Sequence, residues 1–504
     1  MSLPRALEPR VLCGVCIVNY GYKRFLMRSR LVTLLLLPML CCSVLTQAQN
    51  LRLPDFGDPS LQYLSAAKER QLGAAMLQEL RMQGAVIEDV QLNEYLNSVG
   101  QRIAATADNG HPYTFYWLDS GSINAFAAPG GYIAVNAGLL LATRDEAELA
   151  GVIGHEIAHV AQRHIARQYA DSQQFSLPVA AAMLASVALA AAGGSQAGGA
   201  AMASVLAANA QHQINMTRSN EQEADRVGYQ LLLRSGFDAD GMTRFFDYLQ
   251  RLPGESVGQL PDFLRTHPRP SSRVADTQQR LGSTQAQNGR RYSQSYALAK
   301  ARMQALTSSN NTTLLKLLQE RLAKGAYDNE PAERYGYALA LKQAGQYDEA
   351  LTQIQRLLQR DPDNLAFLIE RAEITLASGQ RAQAWRLFEQ AQQLFPQDYT
   401  LAVHYGRALA AQGDPAKAQL VLQSHLQRHS RDLWLYEIYA QAAQRAGDAA
   451  AAHGALAEFY YLSGNLNAAV EQAELGVRSA SAKAYERARL QARLRQFREE
   501  ETRQ

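Results

Sequence analysis

The pentapeptide HEIAH (His155–His159) has the residue types and the spacing of a catalytic zinc site. On a helix, residues four apart share one face, so both imidazoles can bind a single Zn²⁺. Glu156 is placed to take a proton from a zinc-bound water, whose pKa the metal lowers to about 7. The pattern therefore predicts one zinc ion per chain and a hydrolytic reaction with Glu156 as general base.

A third protein ligand is expected, because a catalytic zinc usually has three. In NEQEAD (Asn220–Asp225), Glu221 and Asp225 share one helical face. We predict that Glu221 binds zinc and that Asp225 accepts the ring N–H of a ligating histidine. Glu223 is rotated by about 200° on the same helix and ranks second. His164 is a weaker candidate, since its spacing misses the metzincin pattern, and we expect it on the helix surface.

Several elements must position these groups. Their order along the chain is helices over 59–105, a strand at Tyr113–Leu118, a hairpin of Ala125–Ala128 and Tyr132–Val135 around Gly130-Gly131, and a helix from about Asp145. The helices are predicted from apolar residues at helical spacing, and the strands from aromatic and β-branched runs bounded by turn residues.

Three segments together resemble a known family: NAFAAPGG (Asn124–Gly131), HEIAH and NEQEAD. They are similar, over roughly residues 60–285, to the zinc metalloendopeptidases related to HtpX and the CAAX-prenyl endopeptidases. The resemblance implies a zincin-type, gluzincin-like fold that is mainly α with a small β-sheet. It also implies that His155, His159 and Glu221 bind zinc and that Glu156 is the general base.

The same resemblance implies two further roles. Asn124, Ala125, Phe126 and Ala127 would belong to an edge strand that pairs with an extended substrate backbone. His267, in a Thr-His-Pro sequence, would occupy the fourth zinc position, as in exported members of the family, and hold the enzyme latent. From the residues alone, a lone loop histidine is more often exposed to solvent.

An Ala- and Gly-rich segment, residues 177–208, separates the two metal-binding motifs. Its halves are too short to span a bilayer. We expect a buried helical hairpin or a lid over the cleft, with a peripheral membrane contact as the alternative.

Residues 1–48 read as a targeting segment. From Met27, the expected true start, a short basic region precedes an apolar stretch and a small-residue cleavage site after Ala48, as in a secretory signal peptide. An uncleaved anchor is the alternative. All four cysteines lie within these residues, so a CxxC redox or metal site is disfavoured. A net charge of +3 over 504 residues gives no support for nucleic-acid binding.

The second half of the chain is a repeat array. Glycines recur 34 residues apart at Gly345, Gly379, Gly413 and Gly447, which is the period of tetratricopeptide repeats. We predict a protease domain over 49–300, an α-solenoid over 310–480 that binds proteins, and a charged C-terminal helix over 481–504.

Exported members of the family with such repeats imply a function. The expectation is a periplasmic endopeptidase and chaperone that acts in outer-membrane protein assembly and degrades misassembled proteins. Its partners would be unfolded or stalled outer-membrane proteins and, through the repeats, the barrel-assembly machinery. The alternatives are a non-proteolytic repeat-domain chaperone or adaptor with a vestigial or latent zinc site, and a membrane-embedded protease.

Overall fold

The computed structural model describes residues 65–107, 110–171, 218–252, 262–267, 289–479 and 483–502. The predicted targeting segment and the Ala- and Gly-rich segment 177–208 lie outside these ranges. Among the described residues, no helix has the length and apolarity needed to cross a membrane.

Two capped helices begin the described chain, as predicted. Helix α1 (Ala66–Met82) starts after Ser65, whose side chain accepts a hydrogen bond from the backbone N–H of Lys68. Helix α2 (Val90–Ala104) starts after Asp89, which caps the N–H of Leu92 in the same way. Such caps satisfy backbone donors that the first helical turn leaves without partners.

A three-stranded sheet follows. Strands β1 (Thr114–Leu118), β2 (Ala125–Ala128) and β3 (Tyr132–Asn136) lie in the order β1-β3-β2, with β1 parallel and β2 antiparallel to β3. The predicted hairpin is correct: Gly130 and Gly131 have φ of 78° and 85°, a region that favours glycine. Among the strands that the structure describes, β2 therefore lies at an edge of the sheet.

Six helices complete the part that carries the metal-binding motifs. They are α3 (Ala137–Ala142), α4 (Glu146–Ala161), α5 (His164–Asp171), α6 (Arg218–Ser235), α7 (Asp240–Arg251) and α8 (Asp262–Thr266). Glycines let three of them approach closely. A Cβ on Gly151 of α4 would lie 2.5 Å from the Met242 Cα of α7, and one on Gly228 of α6 would lie 3.0 Å from the Gly154 carbonyl oxygen of α4. The α4 backbone is thus pressed against both neighbours.

The remaining described helices follow along the second half of the chain, and those between residues 310 and 480 lie within the predicted solenoid. They are α9 (Gln294–Thr307), α10 (Asn311–Lys324), α11 (Glu330–Gln343), α12 (Tyr347–Arg360), α13 (Leu365–Ala377), α14 (Arg381–Leu394), α15 (Tyr399–Gln412), α16 (Pro415–Arg428), α17 (Leu433–Arg445), α18 (Ala449–Leu462), α19 (Leu466–Arg478) and α20 (Ala484–Glu501). Of the four periodic glycines, Gly345, Gly379 and Gly447 have positive φ. Gly413 differs, with φ −118°.

Helix α9 contributes to two hydrophobic cores. Ala299 and Met303 belong to the core around α2 and α4, whereas Leu298 and Ala305 belong to the core of the solenoid. The predicted domain boundary near residue 300 falls inside this helix and stays a prediction.

Candidate metal centre

Four side chains from three parts of the chain meet at one buried point. His155 and His159 lie one turn apart on α4, Glu221 lies in the first turn of α6, and His267 follows α8. Each is at most 4% exposed, and one ligand atom from each lies within 4.8 Å of the others. The helical spacing that suggested the first three residues does bring them together.

The distances between these atoms suit a small tetrahedral cation. His155 Nε2 lies 3.0 Å from His159 Nε2, 3.3 Å from Glu221 Oε2 and 3.3 Å from His267 Nδ1. Glu221 Oε1 lies 3.4 Å from His159 Nε2 and 3.2 Å from His267 Nδ1. Ligands about 2.0–2.1 Å from a tetrahedral zinc are about 3.3 Å apart. The residues present therefore fit the metal.

The charges of the cluster also suit a cation. Burial opposes a charge on His155, but hydrogen bonds that its ring donates to the carboxylates of Asp225 and Glu221 raise its pKa to about 9. Burial would raise the pKa of Glu221, yet His267 and His155 hold it well below its usual range. The carboxylates thus stabilise positive charge between the histidines, which a divalent ion also supplies.

Asp225 lies behind the first ligand. Its Oδ1 is 3.0 Å from His155 Nδ1, and the carboxylate is almost fully buried. A carboxylate here fixes the ring with Nε2 toward the cluster and Nδ1–H toward the acid. This geometry is what the predicted role of Asp225 requires, and the role itself stays a prediction.

Glu156 stands at the edge of the cluster and is buried. Its Oε1 lies 3.5 Å from His267 Nε2. Burial raises its pKa, although His267, His155 and a hydrogen bond from the Ala127 backbone N–H act in the opposite direction. A carboxylate with a raised pKa accepts and returns a proton near neutral pH more readily than an exposed one.

His164 contradicts its prediction, because it is fully buried instead of lying on the helix surface. Its Nδ1 lies 2.9 Å from His159 Nδ1, and its Nε2 lies 3.3 Å from Glu223 Oε2. The physical reason is a turn: Arg163 adopts φ 54°, which ends α4 and redirects the chain into α5. Glu223, the acid that ranked second as a ligand, thus contacts His164 and not the four-residue cluster.

Strand β2 runs beside the cluster. Asn124 and Ala125 are fully buried, while Phe126 and Ala127 are partly exposed. Asn124 Oδ1 accepts a hydrogen bond from Thr266 Oγ1 at 3.4 Å, next to His267. The start of the edge strand and the loop that carries the fourth side chain are therefore held together.

Aromatic rings that sequence reasoning missed enclose the histidines. Phe263 stacks on His267 with centroids 4.6 Å apart and contacts His155 edge-on. Phe246 of α7 lies 5.9 Å from the His155 ring. Phe263 and Phe246 resemble any buried residue of an amphipathic helix in sequence, so no local pattern marks them. They make the surroundings of the cluster apolar, which strengthens its electrostatic interactions.

Comparisons with known proteins agree with this geometry. Residues 90–281 match the family model described as Peptidase family M48, and residues 331–374 and 375–433 match tetratricopeptide repeat models. The chain is 37% identical to the Beta-barrel assembly-enhancing protease of Yersinia pestis, covering 68% of this chain and 69% of that one. For the protein of that name from Escherichia coli (strain K12), the values are 36%, 68% and 70%. The Metalloprotease YcaL of Escherichia coli (strain K12) is 29% identical over 48% of this chain and 94% of its own length.

Proposed function

The chain belongs to peptidase family M48 and is a metalloendopeptidase with C-terminal tetratricopeptide repeats, and from that premise we propose that it is a zinc-dependent enzyme of outer-membrane protein assembly. The observation that carries the proposal is the buried cluster of His155, His159, Glu221 and His267 with Glu156 beside it. The proposal assigns His155, His159 and Glu221 as zinc ligands, with His267 in the fourth position.

Zinc, when bound, supplies a Lewis acid that polarises a carbonyl and makes water nucleophilic at neutral pH. The protein supplies the rest. Asp225 orients His155, and Glu156 takes a proton from the attacking water and returns it to the leaving amine. The raised pKa of Glu156 suits this exchange, because a weakly acidic carboxyl both binds and releases a proton.

Strand β2 is proposed to bind the substrate. It pairs with β3 on one side. On its other side the Ala125 N–H donates to Asn124 Oδ1 and the Ala127 N–H donates to Glu156, so an extended peptide that pairs with this side would replace these local hydrogen bonds. The hydrogen bond from Ala127 to Glu156 supports this role. A peptide added along Asn124–Ala127 would lie next to the general base.

Zinc content and caseinolysis, measured together, test the assignment. Glu156→Gln should keep one zinc per chain and lose activity by about 10²–10⁴-fold, because the metal remains but the proton acceptor is gone. Glu221→Ala should lose both zinc and activity, and the matched control Glu223→Gln should retain its zinc. Equal caseinolysis by wild type and Glu156→Gln would contradict the proposal and favour a non-proteolytic adaptor with a vestigial site.

The cellular role is proposed from the relatives named for barrel assembly. In this proposal the protein works in the periplasm, degrades misassembled outer-membrane proteins and also acts as a chaperone. The repeats would contact unfolded or stalled clients and the barrel-assembly machinery. Cells that produce only Glu156→Gln separate the two activities: assembly should recover in part, while degradation stops. Failure to recover any assembly would refute the chaperone role.

His267 is proposed to keep the enzyme latent. Its Nδ1 lies within 3.3 Å of ligand atoms of His155 and Glu221, and its Nε2 lies 3.5 Å from Glu156. A fourth protein ligand closes a zinc site that catalysis needs open. His267→Ala should therefore raise the rate of caseinolysis at unchanged zinc content. An unchanged or lower rate would count against latency.

A further inference from the structure

A groove on the solenoid has the features of a binding site that is separate from the metal cluster. It has a volume of about 530 Å³ and lies among helices α12, α13 and α14, which is within the size range of ligand-binding clefts. Its apolar lining comes from Leu358, Pro362, Leu368, Ala391 and Leu394. The side chain of Arg371 also lines the groove.

Among the residues that the structure describes, no carboxylate pairs with the guanidinium of Arg371. The side chain is half-buried, and its Nε is buried without a hydrogen-bond partner among the described residues. Burial lowers the pKa of Arg371, and no described carboxylate offsets that effect. Other partly buried arginines in the second half of the chain differ: Arg334 pairs with Glu330, and Arg493 pairs with Glu458.

The repeat period shows that Arg371 is an exception. The residues 34 positions before and after it are Tyr337 and Tyr405. Tyr405 is fully buried and stacks on Phe388 with centroids 5.0 Å apart. Where both neighbouring repeats place an aromatic ring for packing, this repeat places a cation beside an open groove.

Leu394 is the complementary exception. It is 56% exposed, although the residues 34 positions before and after it are arginines, Arg360 and Arg428. A leucine is thus exposed where neighbouring repeats have a charged side chain. One repeat therefore has both changes, and they put an unpaired cation and an exposed apolar side chain on the same groove.

We propose that this groove binds an extended segment of an unfolded polypeptide in which an aspartate or glutamate side chain lies next to a leucine-sized apolar residue. The planar guanidinium of Arg371 matches a carboxylate through two parallel hydrogen bonds. Leu394 and Leu368 would contact the apolar neighbour, and the amides of Gln390 and Gln393, which also line the groove, can pair with the peptide backbone. That the segment belongs to a client rests on the proposed function.

Fluorescence anisotropy tests the groove directly. The probe is Gly-Leu-Asp-Leu-Gly, labelled with fluorescein at the N-terminus and amidated at the C-terminus, and its comparison peptide has asparagine for aspartate. The protein is the full chain with Glu156→Gln, so that the probe is not cleaved. We expect the aspartate peptide to bind about tenfold more tightly, as a charge-assisted hydrogen bond supplies.

Variants locate that difference. Arg371→Gln should abolish the difference in affinity between the two peptides. Arg371→Lys should retain part of that difference, because lysine keeps the positive charge but cannot form the two parallel hydrogen bonds of a guanidinium. Arg381→Gln, an equal charge change at an exposed position of α14, should leave it intact. Equal affinities of the two peptides for the unmodified groove, or a difference that survives Arg371→Gln, would overturn the proposal. So would binding that requires a free C-terminal carboxylate.

These measurements do not depend on proteolysis. If the peptides fail to discriminate while Glu156→Gln abolishes caseinolysis, the groove proposal is wrong and the proposed enzyme stands. Melting curves of Arg371→Gln and Arg371→Lys should match those of Glu156→Gln alone, because an unpaired guanidinium contributes no ion pair to the fold.

Discussion

Removal of Arg302 should destabilise the described chain, because this buried arginine pairs with Asp89 at the start of α2 and with Glu370 of α13. Its Nε and Nη2 donate to Asp89 at 2.8 and 2.7 Å, and its Nη1 donates to Tyr335 at 3.0 Å and Glu370 at 2.5 Å. The side chain is 8% exposed, and Glu370 is fully buried. Breaking a buried ion pair from one side costs about 3–5 kcal/mol.

The structure places the expected cost of Arg302→Gln at the lower end of that range. Glu370 would keep a second cation, since Lys342 Nζ lies 2.9 Å away. Asp89 would keep the hydrogen bond from the Leu92 backbone N–H. Each carboxylate would therefore keep one polar partner, and we expect a loss of about 3 kcal/mol in the free energy of unfolding.

Urea unfolding followed by circular dichroism at neutral pH measures this loss. The matched control is Arg478→Gln, because Arg478 is 68% exposed and pairs with Glu474 on the same helix face. Such surface pairs are worth about 0–1 kcal/mol. Asp89→Asn combined with Arg302→Gln should cost less than the sum of the single changes, because the two side chains contact each other. A loss from Arg302→Gln as small as that of the control would refute the reasoning.

Three further predictions concern the site and its support. His164→Phe should weaken zinc affinity by about 10–100-fold in a chelator competition, because it removes the polar contact behind His159; unchanged affinity would exclude an orienting role. Gly151→Ala should lower the melting temperature, because its Cβ would lie 2.5 Å from the α7 backbone, whereas Gly121→Ala, with open space around it, should not; similar shifts in both would contradict this packing argument. Burial would raise the pKa of Asp89, but Arg302 holds it below its usual value, so the charged form stabilises the fold above about pH 4 and this stability is lost as the pH falls further. The difference in the free energy of unfolding between wild type and Asp89→Asn should therefore shrink as the pH falls from about 7 to about 3. A difference that stays constant would contradict this reasoning.

The parts of the fold that sequence predicted are those set by local periodicity. The contact of His155 with His159 follows from one turn of a helix. The 34-residue solenoid period was also readable, since each repeat contacts mainly its neighbours. His164 was missed because a single residue, Arg163, turns the chain with φ 54° and redirects the following helix.

The network around Arg302 could not have been predicted from the sequence. Arg302 contacts Asp89 across 213 residues and Glu370 across 68 residues. The separation of 213 residues is no multiple of the repeat period, and although 68 residues are two periods of 34, each residue alone resembles an ordinary charged side chain on a helix surface or at a cap. Only packing of both cores on α9 brings them together. The Arg371 groove differs, because the sequence period does mark its two exceptions once the structure shows that they share a groove.

Helix α9 couples the two hydrophobic cores. Domains joined by polar interfaces usually move relative to one another, but here Met303 packs in one core and Leu298 in the other. Separating them would expose both faces of α9 and leave the Arg302 guanidinium without its buried partners. The two cores should therefore unfold in one transition in the wild type. Loss of Arg302 weakens the polar part of that link and leaves the Tyr335 hydrogen bond to Gln91, so its variant is the one in which two transitions should first become distinguishable.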